Sequence, residues 1–143
     1  MKQQNVIPKP ALWLGYAGLI PFFITAILSY TTDYAYFSTA LIAYGATILS
    51  FLGGVRWGLA IVNSNSTHLS FSLVISILPS IVGWISLLLP SYVGFMLLAG
   101  GFFVLLLADI RSQDSPPWYP RLRVPLSLGA MTCLIFSFLM QLL

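Results

Sequence analysis

The chain has 143 residues, 59% of them apolar and 15% aromatic, and formal charge rests on six Lys or Arg and three Asp, for a net charge of +3. About a quarter of a soluble domain is charged, so this composition cannot cover a water-facing surface, whereas a bilayer removes the need for one. The basic residues are scattered, which excludes a nucleic-acid footprint, and the single cysteine, Cys133, excludes an intrachain disulfide and a cysteine-built metal site.

The first apolar run, residues 11–30, follows Lys2 and Lys9 in the manner of a secretory signal. It is too long for a signal's apolar core and has no small-x-small cleavage site, so a retained membrane helix is predicted, bent at Pro21. A connection over 31–36 carries Asp33. The second run, 37–62, is the longest and contains Arg56, the one charge inside the five runs. A loop over 63–68 ends at His68. Its Asn65-Ser66-Thr67 matches a glycosylation sequon, but chance is the better account of a match in a short loop predicted to be cytoplasmic.

The third run, 69–89, holds Pro79 and is joined by Pro90-Ser91 to the fourth, 92–108. The last connection, 109–123, holds Asp109, Arg111, Asp114, Arg121 and Arg123, with Pro116, Pro117 and Pro120 to stiffen it. The fifth run, 124–143, has Pro125 at its start, where proline is well tolerated. Each run is near the roughly 20 residues a helix needs to cross about 30 Å of hydrocarbon, and none alternates as a barrel strand would. The prediction is one transmembrane domain over 1–143, an all-α integral membrane protein folded as a compact bundle of five transmembrane helices. Short links make consecutive helices antiparallel neighbours.

Basic residues in short loops resist translocation, so the N-terminus is placed in the cytoplasm and the C-terminus on the outer side. Lys2, Lys9, Arg111, Arg121 and Arg123 then share the cytoplasmic side, and Asp33 lies outside.

In lipid, helices associate through small side chains that let backbones approach. Ala46, Ser50, Gly54 and Gly58 recur every fourth position and predict a packing ridge on the second helix. Ser72, Ser76 and Ser80 form a similar row on the third, and Gly129, Cys133 and Ser137 on the fifth. Packing within the bundle and a homo-oligomer interface are both open uses of such a ridge.

Arg56 lies about 10 Å inside the end of its helix, counting 1.5 Å per residue back from Asn63, and a cation at that depth needs a partner or a route to water. Three fates are open to it. The stem snorkels to the headgroups beside Trp57; or the guanidinium pairs with Asp109, since the fourth helix ends on the same side; or it holds an anionic headgroup or substrate. Tyr44, Trp57, Trp118 and Tyr119 are the aromatics to consider with this candidate charge pair or ligand site. Arg121 and Arg123 are expected to meet lipid phosphates, with Trp118 and Tyr119 in the headgroup layer.

Catalytic constellations are missing. His68 is the only histidine, no Gly-x-Ser-x-Gly elbow exists, and no nucleotide-cradling loop follows Gly53-Gly54. The three carboxylates do not converge on one predicted place, so no metal site, no cofactor and no enzymatic activity are expected.

The block Leu52-Gly53-Gly54-Val55-Arg56-Trp57-Gly58 is part of a wider pattern. With Gly18-Leu19-Ile20-Pro21-Phe22, Tyr44-Gly45-Ala46, Leu78-Pro79-Ser80, Trp84, Asp109, Trp118-Tyr119 and Leu122-Arg123, it resembles the domain-of-unknown-function 3429 family of small bacterial membrane proteins, which is related to animal mitochondrial transmembrane protein 69. The resemblance spans nearly the whole chain. It implies a multi-pass protein of a bacterial inner membrane, or of the mitochondrial inner membrane in a eukaryote, and supplies no reaction. The expected role is a non-enzymatic accessory, scaffold or assembly factor whose partners are membrane lipids and a membrane protein or a second copy. The alternative is an oligomeric small transporter or channel, or a lipid- or quinone-binding protein.

Overall fold

Proline, glycine and one aspartate set the helix boundaries. In the computed structural model, which describes residues 6–63, 68–112 and 115–143, the chain forms six helices and, among the described residues, no strand. They are α1 (Lys9–Ala17), α2 (Ile20–Thr31), α3 (Tyr34–Val62), α4 (Leu69–Leu88), α5 (Ser91–Arg111) and α6 (Tyr119–Leu142). Because α1 and α2 together make one span, Lys9–Thr31, five segments are long and apolar enough to cross a membrane. Lys2, the sequon at 65–67 and Asp114 lie outside the described residues.

The first span is not the single bent helix expected. It divides at Gly18 and Leu19, where the Leu19 amide donates to Tyr16 O in a tight turn. Pro21, at the second position of α2, has no amide to offer the carbonyl four residues back and its ring crowds that turn, so the chain breaks just before it. Tyr44 on α3 donates its hydroxyl to Gly18 O at 2.9 Å, pinning the break to the bundle.

The other boundaries shift for equally local reasons. Asp33 caps α3 by accepting the Tyr36 amide at 3.1 Å, which shortens the expected connection and starts the helix at Tyr34. Its 29 residues reach about 43 Å, so α3 must tilt or protrude. One further turn carries α5 past Ala108 to Arg111. Pro120 fits the first turn of α6, which therefore begins at Tyr119 and places Pro125 inside the helix, not at its start.

The centre is filled by Phe22, Leu41, Leu49, Phe95, Phe102 and Leu134, with the Phe22 ring edge-on to Tyr44 and Phe102. α3 meets α4 at closest range. A Cβ added at Gly53 would lie 2.6 Å from Ser76 O, and one at Gly83 would lie 3.1 Å from the Ala46 Cα.

The small-residue ridge predicted on α3 is only partly seated. Ala46 is buried, but Gly54 and Gly58 are exposed, with nothing within 4 Å of an added Cβ. A four-residue step advances about 40° beyond a full turn, so by Gly58 the row has swung roughly 120° away from Ala46. A seven-residue step drifts only about 20° the other way, and Ala46, Gly53 and Ala60, spaced by seven, are all among the buried positions of α3. The row on α6 does face inward: Cys133 and Ser137 are buried, and Gly129 lies under Leu19.

Candidate functional site: a carboxylate between two guanidinium groups

Three helices each carry an inward stripe, and each stripe includes one charge. Leu49, Gly53, Arg56 and Ala60 form the stripe on α3, Leu98, Phe102, Leu105 and Asp109 that on α5, and Arg123, Ser127, Ala130 and Leu134 that on α6. All three follow the four-then-three spacing of one helix face. The antiparallel order brings the end of α3, the end of α5 and the beginning of α6 to one end of the bundle. There Asp109 accepts from both arginines: Arg56 Nη1 to Oδ1 at 2.9 Å, and Arg123 Nε to Oδ2 at 2.9 Å.

Burial is unequal across the bridge. The Asp109 side chain is 2% exposed, Arg123 6% and Arg56 21%. A buried carboxylate is tolerable only when its charge is matched and its lone pairs are used, and here each oxygen has a charged donor. The positive side is less complete, since Arg56 Nε and Arg123 Nη2 are buried without a partner among the described residues. The Tyr119 hydroxyl is buried as well, within the field of Asp109 and both arginines.

Arg123 is therefore not the headgroup contact expected of it. Starting α6 at Tyr119 makes Arg123 a helical residue on the same face as Ser127 and Ala130, and that face looks at α5. The signal was present in the sequence as that stripe, hidden by placing the helix start at 124. Arg121, two positions earlier and on the opposite side, is exposed. Trp57 is partly exposed, and Trp118 stacks edge-on to Tyr119 with centroids 6.1 Å apart. Tyr44 does not flank the charges: it stands twelve residues before Arg56, about 18 Å along α3, at the Gly18 break.

Two further features lie along α4. A small polar crevice beside Arg56 is lined by Leu59 and Ala60 of α3, Ser72 and Ser76 of α4, and Ser112 after α5. An apolar groove of about 390 Å³ runs between α4 and α5, lined among others by Ile75, Val82, Met96, Gly100, Val104 and Ala108.

The sequence matches, over residues 7–139, the model of a family described as "Protein of unknown function (DUF3429)". The chain belongs to that family. It is 40% identical to Transmembrane protein 69 of Xenopus tropicalis over 136 residues, which cover 91% of this chain and 54% of the relative. Against Transmembrane protein 69 of Mus musculus it is 29% identical over 140 residues, 94% of this chain and 57% of the relative. The chain thus spans about half the length of the curated relatives it matches. No solved structure matches. With five spans and relatives named as transmembrane proteins, this member of the family is a multi-pass membrane protein.

Proposed function

We propose that the protein is a non-enzymatic accessory or assembly factor of an inner membrane, bacterial or mitochondrial, that receives a transmembrane helix of a partner protein along α3. The observation that carries this reading is the open face at Gly54 and Gly58, where an added Cβ would meet nothing within 4 Å. Glycines four residues apart let a second helix approach closely, and in lipid such contact is a principal source of association. Phe51 and Ile61, exposed beside them, offer the flanking side chains.

The N-terminus is read as cytoplasmic and the C-terminus as outside. Lys9, Arg111 and Arg121 then lie at the cytoplasmic ends of their helices and Asp33 at the other side. Accessibility of single cysteines placed at Asp33 and at Leu143 to an impermeant reagent checks this, with both expected to label from outside.

Cross-linking in native membranes, followed by purification and native mass spectrometry, tests the function. The expected result is one membrane protein other than this chain at a fixed ratio, lost in Gly54→Leu/Gly58→Leu while thermal stability is kept. A homo-oligomer alone, or a partner indifferent to the double substitution, overturns the reading.

A further inference from the structure

We propose that ordered water is bound inside the bundle at the end opposite the ion bridge, where it joins Ser38 of α3 to Ser137 and Gln141 of α6. The starting observation is a group of oxygens left without bonds. The hydroxyls of Tyr34, Ser38 and Ser137 and Oε1 of Gln141 are buried and have no hydrogen-bond partner among the described residues. Ser38 and Ser137 are each 0% exposed. Other buried serines satisfy themselves within their own helix: Ser29 donates to Ala26 O at 2.8 Å, and Ser76 to Ser72 O and Ser86 to Gly83 O at 2.6 Å. Ser38 and Ser137 make no such bond, so their hydroxyls remain for something held between the helices.

Helix register brings these oxygens to one place. A Cβ added at Gly45 of α3 would lie 3.7 Å from the Phe22 ring of α2 and 3.8 Å from the Leu134 side chain of α6, so the three residues share a level. Ser29, Ser38 and Gln141 stand seven residues from Phe22, Gly45 and Leu134 respectively, all toward the same end, because α3 runs against α2 and α6. Seven residues advance about 10 Å and leave a helix only about 20° off the same face. Ser29, Ser38 and Gln141 therefore share a second level, with Ser137 and Tyr34 one turn away on the inward faces of their helices. Oxygens that are level with one another but not directly bonded are bridged by water where they are buried. An unpaired buried oxygen is costly, and a water needs two to four polar partners, which this neutral cluster supplies. Ser29 keeps an acceptor lone pair for the same water. The ion bridge fastens α3 to α6 at one end of the bundle, and the water fastens them at the other.

The test uses the full chain in bicelles, with reversible unfolding and water-to-amide NMR cross-peaks as readouts. Ser38→Ala and Ser137→Ala are each expected to raise the unfolding equilibrium constant about threefold, the worth of an average interhelical hydrogen bond in a membrane. The double substitution should raise it by about as much as one single does, because both hydroxyls hold the same water. Wild type should show a long-lived water at the amides of Ser38 and Ser137, and Ser38→Ala should lose the signal at Ser137. Singles that leave stability unchanged or increase it overturn the proposal, since alanine then only removes an unpaired oxygen. So do additive singles, or a wild type without the water signal. A stability that falls when sodium is replaced by choline assigns the cluster to a cation and likewise overturns it.

Discussion

One helical turn of α3 separates two ways of holding a membrane bundle together. At Gly53 the helix meets α4 through bare backbone contact, with Ser76 O placed where a side chain would be. At Arg56 it meets α5 and α6 through charge, by way of Asp109. Lipid supplies no hydrophobic force between helices, so a seam needs either close van der Waals contact or a polar group with nowhere else to go. The glycine seam tolerates no added volume, and the ionic seam no removed partner.

Asp109→Ala is the most severe way to break that contrast. It leaves two buried arginines without their shared anion and is expected to cost about 3–5 kcal/mol, read by reversible unfolding in bicelles. Arg123→Ala should cost less, because Asp109 keeps Arg56, and Arg56→Ala least of the three, because its side chain is partly exposed. In the Arg56/Asp109 double-substitution cycle, a double that costs the full sum of the singles would mean that the two groups are not coupled.

The glycine seam sharpens the comparison from the other side. Gly53→Val should lose about 1–3 kcal/mol through overpacking against the α4 backbone, whereas Gly54→Ala, one residue on and facing outward, should stay within about 0.5 kcal/mol of wild type. Equal losses at the two positions would refute the seven-residue register of α3. The smallest effect is expected at a third type of contact, the bond from Tyr44 to the broken first span. Tyr44→Phe should cost about 0.6 kcal/mol, the average of interhelical hydrogen bonds in membranes, and should speed amide exchange around Gly18.

How much of the site was readable differs residue by residue. Arg56 stands out in the sequence because one charge in a long apolar run is costly wherever it points. Asp109 as its partner was one of three open fates, since placing it took the extra turn of α5. Arg123 was misplaced outright: prolines at 116, 117 and 120 read as loop, yet Pro120 suits a first helical turn, and five residues of boundary error turned a buried cation into a lipid contact. The packing row on α3 failed for another reason. Four-residue spacing and seven-residue spacing already differ by about 100° after two turns, at Gly54 and Gly53, and a single sequence does not say which face a neighbour occupies.

By itself the sequence determined that the chain is an all-helical membrane protein with five crossings, because length, apolarity and the need to satisfy every backbone hydrogen bond inside lipid leave few other forms. Only the tertiary structure decided which residues of those helices meet. That choice depends on the rotation of each helix about its axis, and a shift of one residue there, 100° of rotation, moves Gly53 into a seam and Gly54 out of it.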